Sequence, residues 1–118
     1  GHSFSGLFGL RVLFSEPELF DKYLLASPSI WWDGRTMLDI ESGFSAENDD
    51  LVARVFLSAG QAEDLLEGFN MCGNVVEMAS RLESRNYSSL NLTHAILPSE
   101  SHSSTIGAAI SRGLRHLL

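Results

Sequence analysis

The first six residues, Gly1 to Gly6, constrain the fold of this chain more than any other segment. They spell Gly-His-Ser-Phe-Ser-Gly, and an apolar pattern with one charge, Arg11, runs directly behind them over residues 4–15. A serine between small residues is typical of a tight turn from a strand into a helix, where bulkier side chains would crowd the backbone. Gly1 meets this requirement, and Ser5 is the next smallest choice after glycine. The pattern predicts an exposed Ser3 hydroxyl and a buried helix behind it.

Composition bounds the class of protein. With 118 residues and 44% hydrophobic residues, the chain is expected to form one modest globular domain. Its formal charge of −7 argues against nucleic acid or an anionic membrane as a partner. The sequence contains no run of about 18 apolar residues, so it predicts no membrane-spanning helix. The single Cys72 excludes an internal disulfide and favours a reducing compartment, so we expect the cytoplasm, with the periplasm as the alternative.

Strand and helix patterns alternate along the chain. Runs typical of buried strands lie at 23–26, 54–59 and 92–97. Helical patterns lie at 4–15, 69–85 and 104–118, and the polar residues 35–50 predict a short helix or an excursion. Residues 27–34 have the composition of a loop. This alternation predicts an α/β fold of parallel strands covered by helices in three layers.

The two C-terminal helical patterns predict which faces pack. The first repeats apolar residues at Met71, Val75, Met78 and Leu82. The last would pack through Ile106, Ile110, Leu114 and Leu117, with Ser103 or Ser104 as its cap. Glu77 and Arg81 would form an exposed pair at i,i+4.

Three groups with complementary chemistry follow predicted strand ends. Ser3 precedes the first helix, Glu63 and Asp64 follow the strand at 54–59, and His102 follows the strand at 92–97. In parallel sheets, ligands bind beyond the carboxyl ends of the strands. A serine hydroxyl needs a base in hydrogen-bond reach and a third group that orients the base. The sequence therefore predicts Ser3 as nucleophile, His102 as base and Glu63, in preference to Asp64, as acid.

Plainer interpretations exist for several of these residues. Gly-His-Ser at a chain start can be a cloning remnant, although a remnant would not bring a matching buried helix with it. His102 could be an exposed loop histidine, and either carboxylate could be a solvated loop charge. The other histidines, at 2, 94 and 116, share no metal-ligand spacing, so we expect surface or packing roles for them and neither a metal nor a cofactor. We expect Cys72 to act as a small hydrophobe.

Several motifs together resemble the esterase branch of the α/β-hydrolases, which includes siderophore esterases, feruloyl esterases, esterase D and the mycolyltransferases. They are the turn at 1–6 with its helix, Pro-Glu-Leu-Phe-Asp at 17–21, Ser-Pro-Ser-Ile-Trp-Trp-Asp at 27–33, Gly60-x-x-Glu63 and Ser101-His102. The Ser-Pro-Ser-x-Trp-Trp segment is the most specific and points to the siderophore-esterase-like subgroup. The order serine, acid, histidine is also that of these hydrolases.

The resemblance implies roles for individual residues. Ser3 matches the nucleophile of the elbow, His102 the general base and Glu63 the usual acid position, while the Phe4 N–H would form one half of the oxyanion hole. Trp31 and Trp32 would form an aromatic wall for substrate, or else pack structurally. Two departures are Ser5 in place of a glycine and Glu-Ser-His at 100–102 in place of a Glu-Asp-His-like turn. Some members of the subgroup resemble Ser-His dyads, so the assignment of Glu63 as the acid could be wrong while the assigned function is right.

The resemblance also implies that residues 1–118 are the C-terminal half of a catalytic domain that starts at the nucleophile elbow. The early strands and the second oxyanion donor would then lie in an absent N-terminal half. The expected function is a serine esterase acting on small-molecule carboxylic esters, inactive as this isolated piece and prone to form a homo-oligomer. The alternatives are a catalytically silent binding module, or an acyltransferase that uses the same triad.

Overall fold

The computed structural model describes the whole chain, residues 1–118. Its helices are α1 (Phe4–Ser15), α2 (Trp32–Glu47), α3 (Met71–Ser84) and α4 (Thr105–Leu117). Its strands are β1 (Lys22–Ala26), β2 (Ala53–Gly60) and β3 (Leu90–Leu97), and a 3₁₀ turn, Gln61–Leu65, follows β2. Each predicted strand and each of the three predicted helices is present, with ends that differ by a few residues.

The three strands form one parallel sheet in the order β1-β2-β3. Helices α1 and α3 pack on one face of the sheet and α4 on the other, and α2 packs against α1. Alternate side chains of β1 show the two layers, because Leu25 joins the main core with α1 and α3 while Leu24 packs towards α4. The predicted α/β class, with parallel strands and three layers, is confirmed. No helix is both long enough and apolar enough to span a membrane.

The packed face of α3 follows the prediction, since Met71, Val75, Met78 and Leu82 are all buried. The predicted i,i+4 pair is present, with Arg81 Nη2 at 3.1 Å from Glu77 Oε1, but it is half-buried rather than exposed because both side chains also bond residues of α2. The sequence pattern therefore set the orientation of this helix correctly.

The prediction for the packed face of α4 is wrong at three of its four positions, since only Leu117 is buried. Ile106, Ile110 and Leu114 are exposed, and the helix packs through Thr105, Ala109, Gly113 and Leu117. A side chain at Gly113 would collide with Leu24 and Phe56, so α4 approaches the sheet through its small residues. The cap also differs: Ser104 occupies the N-cap position, but its hydroxyl makes no capping bond and instead accepts the Ser101 N–H at 2.9 Å.

Helix α1 is only half buried, which corrects the expectation of a helix buried all round. Leu10, Leu13 and Phe14 lie in the core, while Phe4 and Phe8 are 54% and 67% exposed. No element of these 118 residues covers the outer side of α1. Strand β3 is likewise only partly buried because it is an edge strand of the sheet.

The segment predicted as a loop followed by a short helix is a longer element. Helix α2 starts at Trp32 and contains a kink at residues 33–35, whose backbone angles lie in the left-handed region. Its buried Glu41 accepts two hydrogen bonds of 2.9 Å from Arg85, at the end of α3. That hydrogen bond raises the pKa of Arg85 and fixes α2 against α3.

Candidate active site

Ser3 lies on a sharp turn between an extended segment and α1. Its backbone angles are φ 60° and ψ −121°, a conformation that non-glycine residues rarely adopt. The extended segment pairs with the end of β1, because the Ala26 N–H donates to the Gly1 carbonyl at 2.9 Å and the Ser3 N–H to the Ala26 carbonyl at 3.0 Å. Hydrogen bonds on both sides thus hold the strained turn, and Ser3 stands just beyond the carboxyl end of β1.

The two small residues that flank Ser3 have different roles. A side chain on Gly1 would collide with the backbone of Ser5, so glycine is required at position 1. The Ser5 hydroxyl donates to the His2 carbonyl at 2.7 Å and accepts the His2 N–H at 2.8 Å. Serine therefore fits in place of the usual second glycine, because its side chain closes the turn.

His102 reaches the nucleophile from the loop after β3. Its Nε2 lies 3.0 Å from Ser3 Oγ, within range for proton transfer. The His2 ring supports it from behind, with 4.5 Å between the ring centroids and 2.8 Å from His2 Nε2 to the His102 carbonyl. The structure thus brings Ser3 and His102 together as the sequence predicted.

Glu63 faces the other nitrogen of the same ring. Its Oε1 is hydrogen-bonded to His102 Nδ1, and its side chain is fully buried. The second oxygen, Oε2, accepts the Ser27 hydroxyl and the Gly60 N–H, both at 2.6 Å. Asp64 is exposed and does not contact His102. Of the two carboxylates left open by the sequence, Glu63 is the one in position to orient the imidazole.

The Phe4 N–H lies at the start of α1, directly after the nucleophile, and donates no hydrogen bond within the chain. A free donor at a helix N-terminus suits a negatively charged oxygen. This is the donor that the sequence assigned to the oxyanion hole.

A pocket of about 130 Å³ opens beside Ser3 and His102. Its walls are mainly apolar and are formed by Phe4, Ser29, Trp31, Leu66, Phe69 and Met71. Trp31 packs edge-on against Phe69, with ring centroids 4.8 Å apart. Trp32 does not line this pocket; it is 47% exposed and borders a separate groove between α1 and α2. Only one of the two predicted tryptophans is therefore near the nucleophile.

Cys72 does not compete as a nucleophile. It is buried, and its Sγ donates to the Gly60 carbonyl at 3.2 Å. Burial, followed by hydrogen bonding and charge interaction with Asp64, raises the pKa of its thiol to about 12. The reactive thiolate is correspondingly scarce at neutral pH.

Two serines of the site had no predicted role, and His2, expected only at the surface or in packing, packs on the catalytic histidine. Ser27 contacts Glu63, Ser29 Oγ lies 3.3 Å from Ser3 Oγ, and His2 supports His102. Ser27 and Ser29 belong to the Ser-Pro-Ser-x-Trp-Trp segment, which carried the resemblance. The sequence thus singled out this motif, but its spacing did not indicate that Ser27 would contact the acid and Ser29 the nucleophile.

No protein-family model matches the chain. Among curated proteins, it is 30% identical over 120 residues to the ferri-bacillibactin esterase BesA of Bacillus subtilis, covering 100% of this chain and 41% of that protein. It is 27% identical over 139 residues to the siderophore triacetylfusarinine C esterase of Aspergillus fumigatus, covering 97% and 46%. The chain thus spans less than half the length of these relatives.

The fold comparison agrees with the sequence comparison. The siderophore hydrolase EstA from Aspergillus nidulans superimposes with a TM-score of 0.85 at 32% identity. The match covers 98% of this chain and 44% of that one. The likeness therefore extends over nearly the whole of this chain.

Proposed function

Because the chain belongs to the esterase branch of the α/β-hydrolases that includes the siderophore esterases, we propose that it carries the catalytic groups of a serine esterase. The observation that carries this proposal is the 3.0 Å contact between Ser3 Oγ and His102 Nε2, with Glu63 on the opposite ring nitrogen. That arrangement matches the requirement for a nucleophile, a base and a group that orients the base.

In the first half of the reaction, Ser3 Oγ attacks the carbonyl carbon of the ester while His102 Nε2 takes the hydroxyl proton. Glu63 holds the imidazole through Nδ1 and stabilises the imidazolium that forms. The carbonyl oxygen becomes an oxyanion, which accepts a hydrogen bond from the Phe4 N–H. The tetrahedral intermediate then collapses, the C–O bond to the alcohol breaks, and His102 returns its proton to the departing alkoxide. The product is an acyl-Ser3 ester and a free alcohol.

In the second half, water takes the place of the alcohol. His102 removes a proton from the water as the oxygen attacks the acyl carbon, and the same N–H binds the oxyanion. Collapse of the intermediate releases the carboxylic acid and returns the proton to Ser3 Oγ. The catalytic groups end as they began, so the cycle requires only ester and water.

The site supports catalysis rather than the alternative of a silent binding module. A protein that had lost activity would be under no requirement to keep the strained φ of Ser3, since such a conformation costs about 1–3 kcal/mol. The buried Glu63 side chain is also hydrogen-bonded at both oxygens, which orders it for one partner, His102.

We propose siderophore esters as the substrate class. The relatives named above are described as esterases or hydrolases of siderophores. The aromatic and aliphatic walls of the pocket beside Ser3 suit the apolar part of such an acyl group.

We further propose that these 118 residues act together with a preceding segment that corresponds to the remaining length of the relatives. That segment would add strands beside β1 and supply the second oxyanion donor. In this arrangement residues 1–118 form the C-terminal half of the domain.

The test uses the full-length protein that contains this chain, with a short p-nitrophenyl ester and a ferric siderophore ester as substrates. Ser3→Ala and His102→Ala should each lower kcat by about 10³-fold or more, and the double variant should lose little further because the two residues act as a unit. Full activity in Ser3→Ala would falsify the mechanism. Hydrolysis of the p-nitrophenyl ester alone would support the esterase but refute the siderophore substrate.

A further inference from the structure

The loop Ser27-Pro28-Ser29 touches the catalytic groups at both ends. Ser27 Oγ lies 2.6 Å from Glu63 Oε2, and Ser29 Oγ lies 3.3 Å from Ser3 Oγ. Both serines are buried, with 0% and 1% of their surfaces exposed. The Ser27 hydroxyl is therefore closed off from bulk water, and the Ser29 hydroxyl faces only the pocket beside Ser3.

The donors in this arrangement follow from what each group can donate. An ionised carboxylate only accepts, so the Ser27 hydroxyl and His102 Nδ1 both donate to Glu63. With the proton on Nδ1, Nε2 of a neutral ring accepts from Ser3 Oγ. The lone pairs of Ser3 Oγ are then free to accept the Ser29 hydroxyl.

We propose that residues 27–29 form a positioning clamp for the esterase reaction, in which Ser29 orients the nucleophile and Ser27 orients the acid. The hydrogen bonds run from Ser29 through Ser3 and His102 to Glu63. Ser27 then donates to the second oxygen of Glu63. The two ends of this hydrogen-bond network, Ser3 and Glu63, are thus both bonded to the loop at residues 27–29. The inference rests on the proposed function.

The backbone of the clamp is itself anchored. The Ser27 N–H donates to the Ser58 carbonyl of β2 at 2.7 Å, and the Ser29 N–H donates to the Ser3 carbonyl at 3.1 Å. Ser27 has φ 44°, in the left-handed region where glycine is favoured over serine. The left-handed backbone at Ser27 aims its hydroxyl at Glu63, as the 2.6 Å contact shows.

Two substitutions at position 27 separate the hydroxyl from the backbone. Ser27→Ala removes the hydroxyl and keeps a side chain at φ 44°, whereas Ser27→Gly removes the hydroxyl and relieves the strain. If the hydroxyl positions Glu63, both variants of the full-length protein should lower kcat by about tenfold with little change in KM. If the residue serves only the turn, Ser27→Gly should keep wild-type kcat, and that result would overturn the clamp.

The pH profile distinguishes positioning from loss of fold. The titratable groups in contact with the His102 ring are Glu63 and His2. A loosened Glu63 stabilises the protonated ring less, so the acid limb of the kcat/KM profile should move to lower pH in both Ser27 variants. Ser29→Ala should lower kcat without moving that limb, because the Ser29 hydroxyl bonds Ser3 and neither His102 nor Glu63. An unmoved limb in both Ser27 variants would refute the proposed role of Ser27, and wild-type kcat in Ser29→Ala would refute that of Ser29.

Ser58→Ala is the matched control. Ser58 is fully buried, next to Ser27, and its hydroxyl has no hydrogen-bond partner. Its removal should leave kcat and the pH profile unchanged.

A readout that needs no turnover keeps the clamp separable from the proposed function. The proton between His102 Nδ1 and Glu63 should give a low-field ¹H resonance, assigned by its loss in His102→Ala. It should shift in Ser27→Ala and Ser27→Gly but not in Ser58→Ala. A shift without any esterase activity would support the clamp and refute the function, whereas an unshifted resonance would refute the clamp alone.

Discussion

Gly60, at the end of β2, and Glu100, in the loop after β3, are in direct backbone contact. A side chain on Gly60 would collide with the Glu100 carbonyl, which also accepts the Ala62 N–H at 2.9 Å. This contact joins the turn that carries Glu63 to the turn that carries His102. The acid and the base are therefore aligned by backbone as well as by their own hydrogen bond.

Gly60→Ala should damage both stability and catalysis. The φ of Gly60 is −84°, which any residue adopts, so space rather than conformation requires glycine here. The added methyl must push the two turns apart, at a cost of about 1–3 kcal/mol in the free energy of unfolding. Urea unfolding measures the first effect, and a fall in kcat of the full-length protein measures the second.

Gly43→Ala provides the control for this substitution. Gly43 lies in α2, and a side chain there would meet nothing within 4 Å. Alanine should raise the free energy of unfolding by about 0.5–1 kcal/mol through its helix propensity, with kcat unchanged. If both alanine variants behaved alike, the Gly60–Glu100 contact would have no special role.

Glu63 and Asp64 form a second matched pair. Glu63→Gln keeps the shape of the side chain but replaces the carboxylate that orients His102, so kcat should fall by about 10²–10⁴-fold. Asp64→Asn removes an exposed charge and should keep kcat close to that of the wild type. Steady-state kinetics of the two variants decides the matter: equal activity of Glu63→Gln and wild type would indicate a Ser3–His102 dyad.

The sequence predicted the order of the elements and the three groups at the strand ends because both depend on local patterns. Buried runs such as 54–59 identify strands, and the parallel arrangement then places whatever follows them at one edge of the sheet. The rule places Glu63 and His102 at that edge, and Ser3 reaches His102, 99 residues away in the chain, through the pairing of residues 1–3 with the end of β1.

What the sequence could not predict depends on close approach between elements. The packed face of α4 is set by Gly113 against Leu24 and Phe56, and a count of large apolar residues selects the neighbouring face, about 100° away. The choice of Trp31 over Trp32 at the pocket similarly depends on where α2 begins. The small residues Thr105, Ala109 and Gly113 do recur at every fourth position, but spacing alone does not rank them above the larger apolar residues beside them.

Trp31 and Trp32 predict a difference in substrate recognition. Trp31 lines the pocket beside Ser3 and packs against Phe69, whereas Trp32 borders another groove. Trp31→Ala should lower kcat/KM for aromatic acyl esters by about tenfold and acetyl esters much less, because the lost contact is with the acyl group. Trp32→Ala should leave kcat/KM unchanged for both the aromatic and the acetyl esters. Comparable losses in both variants, measured with the two esters, would argue against a specific wall at Trp31.

Cys72 should resist alkylation in the folded protein. With its pKa raised to about 12 by burial, the folded state carries about 10³-fold less thiolate than an ordinary cysteine of pKa about 8.5. Iodoacetamide at pH 8 should therefore label Cys72 slowly in buffer and rapidly in urea, as mass spectrometry would report. Since the folded state holds this proton more tightly, the thiol also contributes stability that is lost as pH rises above about 8.5. Rapid labelling of the folded protein would show that the thiol is accessible and ionised.

The chain of residues 1–118, produced by itself, should associate in solution and lack esterase activity. Exposed apolar side chains lie on both faces of the sheet, on α1 at Phe4 and Phe8 and on α4 at Ile106, Ile110 and Leu114. The outer edge of β1 is paired only by the short segment that ends at Ser3. Uncovered edges and apolar patches favour self-association. The Phe4 N–H would also act without a second oxyanion donor, and loss of one such donor costs about 2.7–4 kcal/mol of transition-state stabilisation.

Light scattering and an esterase assay of this chain, run beside the full-length protein, test both parts of the prediction. Phe8→Glu with Ile110→Lys should reduce the mass in solution, because the two charges lie on the exposed faces and touch no catalytic group. The charged variant should remain inactive, since better solubility does not restore the missing donor. A monomeric wild-type chain with the turnover of the full-length protein would show that these residues form a competent enzyme without a preceding segment.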